Sequence, residues 1–308
     1  SPAIVEEILS LATSIGGVRH AQRGEFSQRA FENGKIDLLQ AEGIADLIDA
    51  DSSAQLKQAA RFVAGDASGK ISEWRQSILE ASAFLAASID FSDEGDVSDD
   101  VHAPAIGILN GLISEFGLAL ENAKSASRVR DGIRIAVLGK PNAGKSTLIN
   151  ALSGRDAAIV SEIAGTTRDI LESYLIIAGV PVTIADTAGL RETDDPIEAE
   201  GVKRARRWSE NADLRLYLSR ADEGELTRPS ILADQDIWII SQIDRVESFK
   251  SDFGEDISLS METGFGFDEL KTRLEAVVMK LTQSSEAPTV VRLRHIESLT
   301  TGLDALMR

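Results

Sequence analysis

The first 130 residues carry apolar positions at helical spacing. Asp37 and Gln40, three residues apart, fit a capping box and predict the start of a helix. Pro104 suits the first turn of a later helix. The apolar positions of the three predicted helices are Leu38, Ile44, Leu47 and Ile48, then Ile71, Trp74, Ile78, Ala81, Leu85 and Ser88, then Ile106, Leu109, Ile113, Phe116 and Leu120. Helices of this kind with short connections predict a bundle.

The pattern changes at Ile133, where short apolar runs begin to alternate with helical segments. Ala178-Gly179-Val180 separates two of these runs and predicts a hairpin, which gives one antiparallel edge to an otherwise parallel sheet. Helices fit Ile197–Trp208 and Phe267–Leu281. The predicted strands are Ile133–Leu138, Leu171–Ile177, Val182–Ala185, Leu214–Leu218, Ile237–Ile240 and Ile257–Leu259. This alternation is typical of an α/β nucleotide-binding domain.

A last helix is predicted after Pro288. Its apolar positions are Leu293, Ile296, Leu299, Leu303 and Leu306. No strand accompanies this helix, so we expect it to return to the first bundle. The predicted fold class is therefore α/β plus all-α, with the α/β domain inserted in a helical bundle.

Composition narrows the class of protein. The 308 residues are 43% hydrophobic and 27% charged, which is ordinary for a globular protein, and the length suggests about two domains. The chain has no cysteine, which excludes disulfides, thiolate metal sites and a cysteine nucleophile. A net charge of −18 disfavours broad, nonspecific nucleic-acid binding. We find no apolar run of membrane-spanning length and no signal peptide, so we expect a cytoplasmic location.

The segment Gly139–Ser146 fits the phosphate-binding pattern G-x-x-x-x-G-K-[ST] between a predicted strand and a predicted helix. Glycines let backbone N–H groups turn around a polyphosphate at the helix N-terminus. Lys145 can reach the β- and γ-phosphates, and the Ser146 hydroxyl can bind magnesium. The other predicted nucleotide contacts here are Asn142, Ala143, Gly144 and Thr147.

Two further motifs follow this loop at the spacing of a GTPase. Asp186-Thr187-Ala188-Gly189 comes after a predicted strand, where the carboxylate can hold magnesium through water and the Gly189 N–H can meet a γ-phosphate. The loop Gly165–Asp169 lies between the two, and Thr166 or Thr167 can complete magnesium coordination. The order of the three motifs favours a GTPase over an ATPase. We expect both later loops to loosen when the γ-phosphate leaves.

The base-recognition motif departs from the usual Asn-Lys-x-Asp. Ser241-Gln242-Ile243-Asp244 follows a predicted strand, so Asp244 remains to accept hydrogen bonds from guanine while the Asn and Lys positions differ. A lost side-chain hydrogen bond costs about 0.5–1.5 kcal/mol, which predicts weakened guanine affinity. A second base-recognition motif usually reads Ser-Ala-Lys, and this chain has Ser260-Met261-Glu262 at that position.

The motifs do not identify the residue that positions the attacking water. Leu190 occupies the position that a glutamine fills in Ras-like GTPases, and a leucine cannot position water. A carboxylate on the following loop can take that role. The candidates are Glu192, Asp194, Asp195, Glu198 and Glu200.

The chain resembles the MnmE (TrmE) family of bacterial tRNA-modification GTPases over essentially its whole length. The segments that carry this resemblance are Arg23–Phe26, Arg29–Lys35, Gln40–Glu42, Ala45–Ala50, Ile89–Phe91 and Ala158–Asp169. The resemblance implies a GTPase domain inserted in a helical domain, and activation by dimerisation of two GTPase domains around potassium. It divides the chain into a remnant of a folate-binding domain (1–35), a helical domain (36–130 and a truncated 285–308) and a GTPase domain (131–284).

The same resemblance assigns roles to residues of this chain. It implies potassium binding by Asn142, Ser161, Ile163 and Thr166, where a fixed cation does the electrostatic work of an arginine finger. Ser146 and Thr167 would hold magnesium, with Asp186 at its side. Glu198 would orient the attacking water through a bridging water.

The resemblance also implies partners. Family members form homodimers and act with the flavoprotein MnmG on the wobble uridine (position 34) of tRNA, using a folate one-carbon donor that Lys35 would contact. Ser1 stands in place of an initiator methionine, and the chain is expected to be a fragment lacking most of the folate-binding domain and a C-terminal segment ending Cys-Ile-Gly-Lys. Two alternatives stay open: a nucleotide-binding scaffold with little turnover, and a ribosome-assembly GTPase.

Overall fold

A computed structural model describes residues 1–90, 102–156, 172–186, 208–224, 226–246, 256–283 and 288–308. The helices of these residues are α1 (Pro2–Thr13), α2 (Glu25–Glu32), α3 (Leu38–Ile48), α4 (Ser53–Ala64), α5 (Asp66–Asp90), α6 (Ala103–Asp131), α7 (Lys145–Asp156), α8 (Phe267–Thr282) and α9 (Leu293–Leu306). The strands are β1 (Ile133–Gly139), β2 (Glu172–Ile177), β3 (Val180–Asp186), β4 (Leu214–Arg220), β5 (Ile237–Ser241) and β6 (Ile257–Leu259).

The six strands form one sheet in the order β2-β3-β1-β4-β5-β6. All neighbours pair in parallel except β2 and β3, which are antiparallel, as the sequence predicts. Ala178 (φ 51°) and Gly179 (φ 77°) are both left-handed in the tight turn between them. The helices α7 and α8 pack against the sheet in one apolar cluster, and β5 is buried along its whole length.

The predicted capping box of α3 is confirmed. Asp37 Oδ1 accepts from the Gln40 backbone N–H at 2.9 Å, and Gln40 Oε1 accepts from the Asp37 N–H at 3.0 Å. The same arrangement at Ser52 and Gln55 begins α4, a helix that the sequence pattern did not predict. Two orphan N–H groups are satisfied at each helix start, so both helices have fixed first turns.

The predicted helical bundle is confirmed, including the return of the last helix. Trp74 of α5, Phe116 of α6 and Leu299 of α9 lie in one buried cluster, and the rings of Trp74 and Phe116 meet edge to face at 4.8 Å. Ser127 Oγ also donates to Val291 O at 2.9 Å, which fixes the chain as it enters α9. The α/β domain is therefore inserted between two parts of one bundle.

Helix α6 corrects one expectation. Its 29 residues are long and apolar enough to cross a membrane by length and composition, although we had found no such run. One face of α6 is buried against the bundle through residues that include Leu112, Phe116 and Ala123. Packing in this core accounts for the apolar residues on that face.

Polar contacts join the bundle to the sheet. Arg128 Nε of α6 donates to Asp213 Oδ1 at 2.8 Å, and Asp213 Oδ2 accepts from the Arg134 backbone N–H at 3.1 Å, so a single carboxylate bridges the end of α6 and the start of β1. At the β2–β3 turn, the Ala54 N–H of α4 donates to Gly179 O at 3.3 Å. The hairpin tip therefore touches the first turn of α4.

The structure extends four of the six predicted strands, β1 and β5 by one residue, β4 by two and β3 by three. The hydrogen-bond ladder continues into polar positions such as Asp186, Arg220 and Ser241, where an apolar pattern ends too early. Of the predicted helix Ile197–Trp208, only Trp208 lies in the part of the chain that the structure describes.

Candidate nucleotide site

The phosphate-binding loop leaves β1 at Gly139 and enters α7 at Lys145. Gly139 has a φ of 140°, and a Cβ there would lie 2.3 Å from Leu218 O of the neighbouring strand β4. Gly144 has a φ of 93°, which L side chains rarely adopt. Both positions therefore require glycine, and together they turn the backbone from the sheet into the helix N-terminus, which is a favourable place for an anion.

Lys145 lies across this loop. Its Nζ donates to Gly139 O at 3.0 Å and to Lys140 O at 2.9 Å, and the residue is 6% exposed. Burial lowers the pKa of the Lys145 ammonium, and the charge of Asp186 acts in the opposite direction. The protein thus holds a desolvated cation beside the loop, where its attraction to phosphate is strong.

Two of the predicted magnesium ligands, Ser146 and Asp186, meet at the carboxyl ends of the parallel strands. Ser146 Oγ donates to Asp186 Oδ2 at 2.6 Å. Strands β1 and β3 run in parallel with Val137 opposite Asp186, so the carboxylate comes beside the loop that follows β1. A hydroxyl and a carboxylate oxygen in contact fit magnesium, which prefers oxygen ligands and keeps several of its waters.

The base-recognition motif is bonded to the phosphate-binding loop. Ser241 Oγ, at the end of β5, donates to Ala143 O at 2.8 Å and lies 3.2 Å from Ser219 O. Gln242 Nε2 donates to Asn142 O at 2.7 Å. The sequence reading treated these two substitutions as lost hydrogen bonds, whereas both side chains bond main-chain carbonyls of the loop.

A pocket of about 270 Å³ joins the two ends of the site. Its lining brings together predicted contacts from two parts of the chain, the phosphate-binding loop with the start of α7 and the base-recognition motif after β5. The lining residues are Ala143, Gly144, Thr147, Leu218, Ser241, Gln242, Asp244, Arg245, Leu259, Met261 and Glu262. Asp244 is exposed, so its carboxylate is available to a base.

Ser260 differs from the other predicted contacts. It is fully buried and is absent from the pocket lining. Its hydroxyl accepts from the Thr263 N–H at 3.2 Å and its carbonyl from the Gly264 N–H at 2.9 Å. Ser260 therefore stabilises the turn that carries Met261 and Glu262 to the pocket.

Gln242, Arg245, Met261 and Glu262 line the pocket but were absent from the predicted contacts. The signal that could have found three of them was their position within the two base-recognition motifs. Arg245 directly follows the first motif, and nothing in the residue pattern distinguishes it from a surface arginine.

Several predicted site residues lie outside the described part of the chain. They are Ser161, Ile163, Thr166, Thr167, Thr187, Ala188, Gly189, Leu190, Glu192, Asp194, Asp195, Glu198 and Glu200. Lys35 is described, is exposed in the connection between α2 and α3, and is absent from the pocket lining.

The described residues define the class of protein. A lysine-bearing loop follows the first parallel strand, a Ser–Asp oxygen pair joins the start of α7 to the end of β3, and a pocket with an exposed aspartate follows β5. This is a P-loop nucleotide-binding domain of the GTPase type, inserted in a helical bundle.

Comparison with known proteins gives the family. A family model described as the MnmE helical domain matches residues 38–308. A tRNA modification GTPase MnmE of Hyphomonas neptunium is 44% identical over 305 residues, which cover 99% of this chain and 69% of that protein. The corresponding protein of Caulobacter vibrioides is 43% identical over 321 residues, covering 99% and 71%. The chain belongs to the MnmE family.

Among solved structures, Era of Aquifex aeolicus is 28% identical in sequence, with a TM-score of 0.38. The match covers 50% of this chain and 57% of Era.

Proposed function

We propose that this protein is a potassium-activated GTPase that hydrolyses GTP to GDP and phosphate, and that it acts with a flavoprotein partner in modification of the tRNA wobble uridine at position 34. As a member of its family it is a GTP hydrolase. The observation that carries the proposal is the 2.6 Å contact between Ser146 Oγ and Asp186 Oδ2 beside Lys145. That contact joins the residue after Lys145 to Asp186, which ends β3 and begins the Asp186–Gly189 motif.

Each residue of the phosphate end has a chemical role in this proposal. The Lys145 ammonium and the N–H groups at the start of α7 bind the phosphate oxygens and stabilise charge that develops during hydrolysis. Ser146, Asp186 and Thr167 hold magnesium, which neutralises the β- and γ-phosphates when it is bound. Glu198 orients the attacking water through a second water.

Potassium is assigned to Asn142, Ser161, Ile163 and Thr166. Asn142 is exposed on the loop, and its φ of 62° sets the direction of its side chain. Bound by these residues, a monovalent cation would supply the positive charge that other GTPases take from an arginine. We propose that two GTPase domains of a homodimer enclose this cation.

The remaining assignments extend the same proposal. The partners are a second copy of the chain, through its N-terminal region and GTPase domain, then the MnmG flavoprotein and tRNA, in the cytoplasm. Lys35 would contact the folate one-carbon donor that the family uses. The proposed units are 1–35, 36–130 with 285–308, and 131–284.

Phosphate release in potassium and in sodium tests the proposal. We expect GTP turnover that is faster in potassium, with ATP failing to compete. Glu198→Ala should abolish most of this turnover while guanine-nucleotide binding is retained. Equal rates in the two salts would contradict potassium activation, and unimpaired turnover of the variant would contradict the role of Glu198.

A second candidate is a nucleotide-dependent scaffold with little turnover. Glu262 lines the base pocket where the usual motif has a lysine, so this position of the pocket carries a negative charge in place of a positive one. Nucleotide binding without potassium-stimulated phosphate release would favour this scaffold.

A further inference from the structure

Two residues with unusual backbone conformations are bonded to each other. In the described ranges, the non-glycine residues with positive φ are Asn142 (62°), Ala178 (51°) and Gln242 (58°). Ala178 belongs to a hairpin turn, where this conformation is common. Asn142 and Gln242 are 100 residues apart in sequence, and Gln242 Nε2 donates to Asn142 O at 2.7 Å.

The orientation of the Gln242 amide is set by its partner. Asn142 O is a carbonyl oxygen and can only accept, so the NH₂ group of Gln242 must face it. The other amide atom, Gln242 Oε1, is buried and has no hydrogen-bond donor among the residues that the structure describes. Gln242 thus combines a left-handed backbone with an unpaired buried acceptor. Costs of this kind are found where a position serves a function.

The bond of Gln242 is one of a pair. Ser241, the preceding residue, donates to Ala143 O, the carbonyl that follows Asn142 O along the loop. Ser241 is 4% exposed and belongs to β5, so the pair is anchored in the buried sheet. Consecutive side chains of the base-recognition motif therefore fix consecutive carbonyls of the phosphate-binding loop.

We propose that Gln242 is a positioning residue that holds Asn142 in its left-handed conformation and so sets the cation dependence of GTP hydrolysis. The inference rests on the proposed function, in which Asn142 binds the activating potassium. Without the Gln242 bond, the Asn142–Ala143 peptide keeps only the bond from the Ala143 N–H to Lys140 O at 3.3 Å, and the Asn142 side chain leaves the direction needed by the cation. Gln242 acts through Asn142 and leaves the hydrogen bonds of the base to Asp244.

Potassium titrations test this role, both of GTP turnover and of the binding of a fluorescent, non-hydrolysable GTP analogue, and the two potassium midpoints should shift together. Gln242→Glu keeps the side-chain length, removes the N–H donor and places a carboxylate beside a carbonyl. We expect the potassium concentration for half-maximal turnover to rise about tenfold, with kcat at a fixed low potassium concentration falling more than KM for GTP rises. Gln242→Lys restores an N–H donor and should return the potassium midpoint to within about twofold of the wild type.

Asp244→Ala is the matched control within the same pocket. It should raise KM for GTP while the potassium midpoint is unchanged, because Asp244 has no bond to the loop in the proposed arrangement. If Gln242→Glu fails to fold, as judged by its thermal unfolding, Gln242→Met removes the donor at similar volume and carries the same expectation.

The outcomes separate the inference from the function on which it rests. Wild-type turnover that ignores potassium would reject the proposed function, and this inference with it. Potassium-activated wild-type turnover with an unchanged midpoint in Gln242→Glu or Gln242→Met would reject the inference alone. A raised midpoint in those variants, with rescue by lysine and none of the shift in Asp244→Ala, would support it.

Discussion

The phosphate end and the base end of the pocket are built in different ways. At the phosphate end, Gly139 and Gly144 are required by the backbone, and Lys145 is buried across the loop. At the base end, Ser241 and Gln242 replace the usual asparagine and lysine, yet both bond to the loop. The comparison teaches that a carbonyl acceptor can be held by any well-placed donor, whereas a turn without space for a Cβ accepts one residue only.

Removing the charge at the phosphate end has the largest expected effect. Lys145→Ala deletes a desolvated ammonium, and a charged hydrogen bond contributes about 1.5–3 kcal/mol, so we expect GTP affinity to fall by roughly 100-fold. Isothermal titration calorimetry with GTP and magnesium measures this change. Lys280→Ala, at an exposed position of α8, is the control and should bind like the wild type. Unchanged affinity in Lys145→Ala would contradict the assignment of the site.

Magnesium should bind between Ser146 and Asp186 at the phosphate end. Ser146→Ala and Asp186→Asn each alter one member of the 2.6 Å pair, and we expect magnesium-dependent GTP affinity to fall about tenfold or more. Fluorescence titrations with a labelled GTP analogue, with magnesium and with a chelator, separate metal binding from phosphate binding. In chelator the variants and the wild type should converge. A loss of equal size in both conditions would show that the pair acts without the metal.

The base end should respond in specificity. Asp244→Asn exchanges one acceptor for a donor, so we expect GTP affinity to fall about tenfold and xanthosine triphosphate to gain by a similar factor. Competition between the two nucleotides measures the shift. The same change at Asp234, a residue outside the pocket lining, should alter neither affinity. A parallel loss for both nucleotides in Asp244→Asn would mean that Asp244 supports the loop and does not bind the base.

A smaller effect is expected from pH. Burial lowers the pKa of Lys145, so its charge is lost at a lower pH than that of an ordinary lysine. Bound phosphate favours the protonated form, and GTP binding should therefore take up protons as the pH rises toward that lowered pKa. Affinity should decline by a few fold over the same range. Calorimetry in two buffers of different ionisation enthalpy detects the uptake, and its absence at every pH below the pKa of an ordinary lysine would contradict the lowered pKa.

The sequence predicted the parts of the fold that depend on local chemistry. Glycine spacing and the lysine identified the loop, Asp37 and Gln40 identified a helix start, and the apolar runs identified all six strands. Strand ends were missed because pairing continues into polar residues. Helix α4 was missed because the capping box at Ser52 went unrecognised.

The sequence pattern did not predict contacts between residues that are distant in the chain. Gln242 lies 100 residues from Asn142, and neither residue type by itself indicates the other. For Ser260, motif position predicted a nucleotide contact that the structure does not show. Its hydroxyl instead accepts a hydrogen bond within a turn. Motif position gave the region correctly, and three-dimensional packing decided the role of each side chain.

The hairpin tip has a consequence for communication across the molecule. Strand β3 carries Asp186 at one end, and Gly179, directly before its other end, accepts a hydrogen bond from Ala54 of α4. Seven residues of extended backbone span about 20 Å. The carboxylate that meets Ser146 and the turn that meets α4 are therefore opposite ends of one continuous strand.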